Sequence, residues 1–204
     1  MGRPRRHDLD DLLDHTRELW VRRGTSGVTI RALSDASGAS NGAIYNAFGS
    51  RDGLLAATWA REATKFVDFQ RAAVDEILTT NGLAADAVVA AALAPASYAA
   101  QADLGAQLLL AVKPDDLATP DLTESQRREL SGLRRSLSTL IALLAAEQWN
   151  RQDTAALTFI KYCIVELPSA LLLKAANVTD PLAARALEQA VRGVVSAPPP
   201  APES

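Results

Sequence analysis

Polar side chains that can read nucleic acid are concentrated in residues 28–55, which read VTIRALSDASGASNGAIYNAFGSRDGLL. Two short helices are predicted to meet at Gly38-Ala39-Ser40, because Gly38 can adopt a positive φ and close the first helix. Ser40 can cap the second helix. A turn this tight is typical of the helix-turn-helix motif. The second helix of such a motif fits the major groove of DNA, about 12 Å wide, where base edges present distinct donors and acceptors.

The motif has an apolar side and an open side. Four apolar residues are predicted to pack inward: Leu33, Ala36, Ile44 and Phe48. Five residues are left on or near the open side: Asn41, Gly42, Ala43, Tyr45 and Asn46. Because Gly42 and Ala43 are small, the helix backbone can approach DNA, and the Asn46 amide can pair with adenine or hold a phosphate. Tyr45 is interpreted as a phosphate contact, with a place in the core as the alternative.

The basic excess of the chain sits at its N-terminus. Residues 1–51 hold eight Lys and Arg against six Asp and Glu, residues 52–204 hold 13 against 18, and the net charge is -3. Arg3, Arg5 and Arg6 precede the first predicted helix. Short basic arms of this kind contact phosphates or a minor groove, and a solvated tail is the alternative. We predict a basic, disordered arm over residues 1–7.

Composition places the chain among globular proteins. Of its 204 residues, 48% are hydrophobic and 22% are charged, which is too apolar for a disordered chain. The longest apolar runs fall short of the roughly 18–20 residues that span a bilayer, and Asp8, Asp10 and Asp11 occupy the place of a signal-peptide core. We therefore predict a cytoplasmic protein that does not enter a membrane. The 39 Ala, and 17 Arg against 4 Lys, indicate a GC-rich bacterial genome.

Few residues are suited to catalysis or metal binding. Cys163 cannot form an internal disulfide and lies in an apolar segment, where a thiol is usually inert. His7 and His15 have no nucleophile nearby in sequence and leave little material for a metal site. The chain has no Gly-rich phosphate loop. We predict no enzyme activity, no cofactor and no metal, with an all-helical enzyme as the alternative.

Helix-favouring residues dominate and strand signals are nearly absent, so we predict an all-α fold of about nine helices. The predicted helices span residues 8–23, 29–38, 40–48, 50–79, 83–94, 103–112, 123–148, 153–176 and 181–195. Gly24 is expected to end the first helix, and Pro95 to break or kink the fifth. Thr123 and Gln126 form a predicted capping box for the seventh, and Asp180 caps the last.

This order of elements predicts four segments. The basic arm over 1–7 is followed by a three-helix, helix-turn-helix domain over 8–50. A larger helical domain covers 51–196. The Pro-rich end over 197–204 is predicted to be disordered.

Residues 9–55 resemble the N-terminal domain of the tetracycline-repressor (TetR) family of bacterial transcriptional regulators. The matching residues are Thr29, Leu33, Ser37-Gly38-Ala39-Ser40, Gly42-Ala43, Ile44-Tyr45-Asn46-Ala47-Phe48, Arg51 and Leu54-Leu55. Two positions depart from the family pattern: Ala47, where His is usual, and Arg51, where Lys is usual. The resemblance implies that Thr29 contacts a phosphate and that Arg31 reaches a base or a phosphate. It also implies that Arg51 binds a phosphate at the start of a helix.

The predicted DNA-binding residues combine the arm, the motif and this resemblance. They are Arg3, Arg5, Arg6, Thr29, Arg31, Ser40, Asn41, Gly42, Ala43, Tyr45, Asn46 and Arg51. Two alternatives stay open: Thr29 as a helix cap alone, and Arg31 as a solvated surface charge.

Members of this family use their C-terminal part to dimerise and to bind a small effector. The sequence independently supports burial there, because residues 155–173 are apolar on nearly every side and both faces must be covered. Ile164 and Leu171 are assigned to the face that meets a second copy. Residues 181–195 are the second interface element, and a monomer core helix is the alternative.

Nine large or polar side chains are candidates for the effector site: Trp59, Phe66, Phe69, Tyr98, Gln107, Trp149, Phe159, Tyr162 and Glu166. Because most are apolar, the effector is expected to be apolar or amphipathic. Each could instead belong to the plain core, and Glu166 could face solvent.

The resemblance implies a homodimeric transcriptional regulator that binds double-stranded DNA. It implies a repressor, released from an inverted-repeat operator by a small effector. The alternative is a helical interaction module with a vestigial DNA-binding head, which Ala47 favours.

Overall fold

The computed structural model describes residues 6–101, 103–117, 119–173 and 178–200. These residues form nine α-helices and no strand, which confirms the all-α fold. The helices are α1 (Arg6–Gly27), α2 (Ile30–Ser37), α3 (Asn41–Phe48), α4 (Arg51–Thr79), α5 (Ala84–Gln101), α6 (Asp103–Ala111), α7 (Glu124–Trp149), α8 (Thr154–Lys161) and α9 (Pro181–Val195). A 3₁₀ turn over Pro114–Leu117 precedes α7.

Side-chain caps begin the helices where the sequence predicts them. Asp153 accepts from the amides of Ala155 and Ala156 at the start of α8, and Asp180 accepts from the Leu182 amide at 2.9 Å before α9. These side chains satisfy backbone donors that have no partner within the helix. The predicted starts of α8 and α9 are therefore confirmed.

Helix α1 is longer than predicted at both ends. It begins at Arg6 rather than at residue 8, so Arg6 is helical where the sequence predicts a disordered arm. Gly24, with φ 69° and ψ 177°, interrupts the regular helix as predicted, but one more turn follows it. The indole Nε1 of Trp20 donates to Thr25 Oγ1 at 2.9 Å, which ties that last turn to the body of the helix.

Pro95 does not break α5, which continues to Gln101. Proline has no N–H, so the Ala91 carbonyl one turn earlier loses its helical partner. The Gln70 side chain replaces that partner: its Nε2 donates to Ala91 O at 2.8 Å, and Gln70 is only 3% exposed. Because the orphaned carbonyl is satisfied from α4, the proline is tolerated inside the helix.

The described residues group into two compact units. The first takes those of Met1–Thr64 and Leu104–Leu133, and the second takes those of Lys65–Asp103 and Arg134–Ser204. Both α4 and α7 supply residues to both units. This division into units differs from the domain boundary that the sequence predicts at residue 50. That boundary, between a DNA-binding domain and an effector-binding domain, stays a prediction.

Each unit has its own apolar core. The first is built around five fully or nearly fully buried side chains: Trp20, Leu33, Ile44, Leu54 and Leu108. The second includes Val88, Leu144, Ile160, Leu172 and Leu187.

The segment from Thr154 to Leu173 is the most apolar helical stretch described. Helix α8 continues there as π-helix over Tyr162–Glu166 and Ser169–Leu173, on either side of Pro168, which cannot donate an α-helical hydrogen bond. With a mean hydropathy of 1.6, the segment is long and apolar enough to cross a membrane by length and composition. This corrects the expectation that no run is long enough. A core helix of a soluble protein passes the same test, yet only 33% of this stretch is buried in the chain.

Ile164 is not on the outer side of that segment. It is 4% exposed and belongs to the core cluster that contains Leu187 and Val191 of α9. Its assignment to a face that meets a second copy is therefore wrong. Leu171 is half-buried, whereas Tyr162 is 49% exposed.

The start of the Pro-rich segment is held in place, although the composition predicts disorder. Arg151 donates from Nη1 to Pro199 O at 2.8 Å and from Nη2 to Pro200 O at 2.7 Å, and Pro199 is buried. The Arg151 guanidinium also pairs with Asp153, at 2.6 Å from Nε to Oδ2. This pairing holds the pKa of the Asp153 carboxyl down at about 2. Residues 201–204 lie outside the described residues.

Candidate nucleic-acid interface

The first helix of the motif, α2, starts at a capped threonine. Thr29 has extended backbone, and its Oγ1 accepts from the Ala32 amide at 3.0 Å. Ile30 and Leu33 are buried, while Thr29 and Arg31 are exposed. The cap is therefore confirmed, and both side chains that the resemblance assigns to DNA lie at the surface.

The turn between α2 and α3 has the predicted geometry. Gly38 takes the left-handed conformation, with φ 74°, and its amide donates to Ser34 O at 2.9 Å. The Ser34 hydroxyl donates to Ala39 O at 2.7 Å, which closes the turn from inside. Ser40 then caps α3, because its Oγ accepts from the Ala43 amide at 3.2 Å. Local hydrogen bonds thus fix the angle at which α3 leaves α2.

Helix α3 turns one face into the core of the first unit and leaves the other open. Ile44 is fully buried and Phe48 is 8% exposed. The open side is formed by exposed residues: Asn41, Gly42, Ala43, Tyr45, Asn46 and Ala47. At 51% exposure, Tyr45 is not a core residue. A Cβ on Gly42 would meet nothing within 4 Å, so the backbone is open to close approach at this point.

Ala36 departs from the predicted inward set, because it is exposed. Leu33, three residues earlier on α2, is fully buried. A short helix of eight residues offers few inward positions, and Ile30 and Leu33 occupy them in α2. Ala36 instead lines a cleft of about 190 Å³ beside α1, with His15, Glu18, Leu19, Arg22 and Arg23.

Arg51 is engaged with the chain itself. Its Nε donates to Val28 O at 2.6 Å, and its Nη2 donates to Thr25 O. Its remaining nitrogen lies 3.6 Å from Asp52 Oδ1. The side chain is 35% exposed, so it joins the start of α4 to the segment that leads into α2. No local pattern in the sequence indicates these contacts, which join residues 23 and 26 positions apart.

A buried charge network joins α1 to α4 within the first unit. Glu62 is 1% exposed and lies 3.4 Å from Arg17 and 3.0 Å from Arg61. Arg61 also donates to Asp14 Oδ1 at 2.6 Å. Asp10, Asp14 and Arg17 recur at helical spacing on α1, which is the signal that could have revealed this network.

Of the predicted arm residues, Arg3 and Arg5 lie outside the described residues. Arg6 is the first residue of α1. Their contacts with DNA stay a prediction.

The candidate effector residues divide between the two units. In the first unit, Trp59 is buried and donates from Nε1 to Val112 O at 3.2 Å, whereas Gln107 is exposed. In the second, the ring of Tyr98 contacts those of Phe66 and Phe69, with centroid distances of 5.5 and 5.4 Å.

A second aromatic group in that unit consists of Trp149, Phe159 and Tyr162, with successive centroid distances of 6.3 and 6.5 Å. Glu166 is exposed, and its Oε1 lies 3.3 Å from Lys161 Nζ. A shared effector site for the nine candidates stays a prediction, and Glu166 matches its alternative of facing solvent.

Reactive side chains are sparse among the described residues. Cys163 is fully buried, and burial raises the pKa of its thiol to about 12, so it stays protonated at neutral pH. The described residues hold no group of three His, Cys, Asp or Glu that could bind a metal ion.

The fold and the site together define an all-helical protein with an N-terminal helix-turn-helix. Residues 12–58 match the family described as bacterial regulatory proteins, tetR family. The match covers the N-terminal helix-turn-helix region of the chain.

Two curated relatives each match about a third of the chain. The HTH-type transcriptional regulator AlkX of Mycobacterium tuberculosis is 39% identical over 66 residues, which are 32% of this chain and 31% of the relative. The HTH-type transcriptional repressor AcnR of Corynebacterium glutamicum is 30% identical over 73 residues, 36% of this chain and 35% of the relative. The matches thus span about a third of the length of these relatives.

The similarity in fold extends along nearly the whole chain. The transcriptional regulator FadR from Bacillus subtilis, solved in complex with stearoyl-CoA, superposes with a TM-score of 0.63. The superposition covers 91% of this chain and 96% of FadR at 12% sequence identity. At that identity the likeness concerns the fold alone.

Proposed function

We propose that this chain is a DNA-binding transcriptional regulator that reads an inverted-repeat operator with helix α3. The observation that carries the proposal is the capped turn that fixes α3 and leaves Asn41, Tyr45 and Asn46 exposed on one open face. Exposed amides of this kind pair with base edges in the major groove. Thr29 and Ser40 lie exposed at the helix starts, where phosphates bind favourably.

Repression is the favoured outcome of binding, and the name of the curated relative AcnR supports it. An operator-bound protein blocks transcription without needing any further activity. A protein that reads genomic DNA acts in the bacterial cytoplasm, which is where we place this chain.

We place a homodimer interface on residues 155–173 and 181–195. The support is exposed apolar surface: most of the stretch Thr154–Leu173 is unburied despite its mean hydropathy of 1.6. Tyr162 is 49% exposed and Leu182 of α9 is 75% exposed. Apolar side chains that a single chain leaves exposed in this way support a protein–protein interface here. A twofold dimer presents two copies of α3 to successive major grooves, so the operator is an inverted repeat.

A small apolar or amphipathic effector is proposed to control DNA binding. The aromatic side chains of the second unit support an apolar ligand, as does the stearoyl-CoA named with the FadR structure. By linkage, an effector that weakens operator binding must lose affinity for the protein by the same factor once operator is bound. A coupling of about 1–3 kcal/mol changes affinity roughly 5–150-fold.

The proposal is tested by selecting duplexes from a randomised DNA pool with the full-length protein and sequencing those that are retained. We expect an inverted repeat whose half-sites lie about one helical turn apart. The DNA that flanks the protein's own gene, used in a gel shift, is the second probe. If neither probe is bound by folded protein, the interaction module with a vestigial head becomes the better description.

The arm is tested separately by deleting residues 2–6. If Arg3, Arg5 and Arg6 bind DNA, the slope of log affinity against log salt falls by up to about 0.9 for every phosphate that each subunit no longer neutralises. An unchanged slope identifies the arm as a free tail.

A further inference from the structure

We infer that Gln126 is a positioning residue for DNA reading, which holds the C-terminal end of α3 from the first turn of α7. This inference rests on the proposed function and adds a second element that sets the orientation of the reading helix. Its starting point is one hydrogen bond: Gln126 Nε2 donates to Phe48 O at 3.2 Å.

Phe48 is the last residue of α3, and its carbonyl is one of those left without a partner at a helix C-terminus. A donor from outside the helix satisfies this carbonyl and ties the end of α3 to that donor. The hydrogen bond is partly buried, so water competes poorly for the same oxygen. The position of the α3 end therefore depends on the side chain of Gln126.

Gln126 is itself held by the capping box of α7. Its Oε1 accepts from the Thr123 amide at 2.8 Å and from Thr123 Oγ1 at 3.0 Å. The backbone amide of Gln126 donates to Thr123 Oγ1 at 3.3 Å, which completes the box. Because the cap fixes Oε1 of the Gln126 side chain, Nε2 of the same amide group is directed at Phe48 O and has little freedom to turn away.

Gly53 shows how closely α4 packs against this hydrogen bond. A Cβ at residue 53 would overlap with Phe48 O and would lie 2.6 Å from Gln126 Nε2. Only a residue without a side chain leaves room for the hydrogen bond. The absence of a Cβ here is thus a structural requirement of the contact between α7 and α3.

Helix α7 continues from this first turn to Trp149, and its Leu140, Leu144 and Ala145 belong to the core of the second unit. A displacement of α7 along or about its axis would move Gln126 and, with it, the end of α3.

Two substitutions separate the hydrogen bond from the cap. Gln126→Glu keeps the acceptor that a capping box needs, because Glu serves in this position as well as Gln, but it removes the donor to Phe48. Thr123→Ala removes the hydroxyl of the cap but keeps both the donor to Phe48 and the backbone amide of residue 123 that binds Gln126 Oε1. Gln126→Met, neutral and of similar size, is the second variant for the case that the added charge of Glu disturbs folding.

Hydrogen exchange of the free protein is the first readout. We expect Gln126→Glu to speed exchange of the amides at residues 47–49, at the end of α3, while Thr123→Ala leaves them unchanged. DNA binding is the second readout, with a duplex selected by the wild-type protein and the randomised pool as probes. We expect Gln126→Glu to bind the selected duplex roughly threefold to tenfold more weakly, which corresponds to the loss of one hydrogen bond. Its binding to the randomised pool should change little.

Equal effects of Gln126→Glu and Thr123→Ala on both readouts would overturn the inference, since Gln126 would then be a cap residue only. Unchanged exchange at residues 47–49 in both Gln126 variants would overturn it as well. If the wild-type protein selects no duplex, the proposed function fails, and the exchange measurement still decides whether Gln126 holds α3.

Discussion

The guanidinium of Arg51 is bound to the backbone of Val28, with Nε donating to the carbonyl oxygen at 2.6 Å. Val28 is fully buried and immediately precedes Thr29, the cap of α2. Arg51 thus fixes the approach to α2 from the start of α4, which is a structural role beside the phosphate contact implied by resemblance.

Substituting Arg51 tests this structural role. Arg51→Ala removes charged hydrogen bonds to the carbonyls of Val28 and Thr25, so we expect the free energy of unfolding to fall by about 1–3 kcal/mol. Arg51→Lys keeps the charge but loses the planar fork that reaches both carbonyls, so it recovers only part of the loss. Urea denaturation of the three proteins measures this. Equal stability of all three would show that these hydrogen bonds contribute nothing.

Asn46 is exposed on the open face of α3, where its side-chain amide can read a base. We expect Asn46→Ala to weaken binding of a selected duplex by about 1–3 kcal/mol and to relax the sequence preference at one position. Arg51→Ala, by contrast, weakens all duplexes about equally. Gln101→Ala, which removes an exposed amide at the end of α5 and outside the proposed dimer interface, is the control. The same loss on selected and randomised DNA would remove Asn46 from the specificity residues.

The dimer interface is best probed at side chains that the single chain leaves exposed. Tyr162→Glu and Leu182→Glu place a carboxylate where we propose that a second copy packs, and burying it unpaired costs several kcal/mol. We expect folded monomers by sedimentation, with helix content unchanged. Leu83→Glu is the matched control, because Leu83 is 70% exposed outside the proposed interface. A stable dimer from both variants would place the interface elsewhere.

The sequence alone would suggest Ile164→Glu as a test of the dimer interface, because it assigns Ile164 to the face that meets a second copy. The structure predicts another result for this variant. Because Ile164 is buried among the residues of its own subunit, a charge there unfolds the protein. Loss of the dimer would then follow from loss of the fold and would say nothing about the interface.

Local features of this chain could be read from the sequence with good accuracy. The caps at Thr29, Ser40 and Asp180 and the turn at Gly38 each depend on residues a few positions apart, so the pattern itself contains the interaction. The open face of α3 follows from the same periodicity. These predictions succeeded because each hydrogen bond closes within about one helical turn.

Contacts between distant residues could not be read in this way. Gln126 and Phe48 are 78 positions apart, and Gln70 and Ala91 are 21 apart. Nothing in the composition around Pro95 shows that a glutamine on another helix will satisfy its orphaned carbonyl. The candidate effector residues stay a prediction for the same reason, since a set of large side chains in the sequence does not tell which of them share a cavity.

The ion pair of Asp153 with Arg151 predicts a pH dependence of stability. The pKa of Asp153 lies at about 2 in the folded protein, below its ordinary value of 3.8. A lowered pKa stabilises the fold above the unfolded value, and this contribution is lost as pH falls from about 4 towards 2. Asp153→Asn is therefore expected to lower stability at pH 7 and to approach the wild type as the solution is acidified.

Urea denaturation at pH 7, 5, 4 and 3 measures this difference. Asp180→Asn changes the other aspartate cap, which accepts from the backbone amide of Leu182, and serves as the control. A gap between Asp153→Asn and wild type that stays constant over the whole range would show that the ion pair adds no stability.

The Gln70 side chain and Pro95 form a pair whose coupling can be measured directly. Gln70→Leu leaves the buried Ala91 carbonyl without a donor, so we expect a loss of about 1–3 kcal/mol in the free energy of unfolding. Pro95→Ala restores an N–H one turn after Ala91, and in that background the carbonyl no longer needs Gln70. A double-mutant cycle by urea denaturation should therefore show that Gln70→Leu costs clearly less in the Pro95→Ala protein. If the two substitutions are additive, the Gln70–Ala91 hydrogen bond does not compensate for the proline, and α5 tolerates Pro95 for another reason.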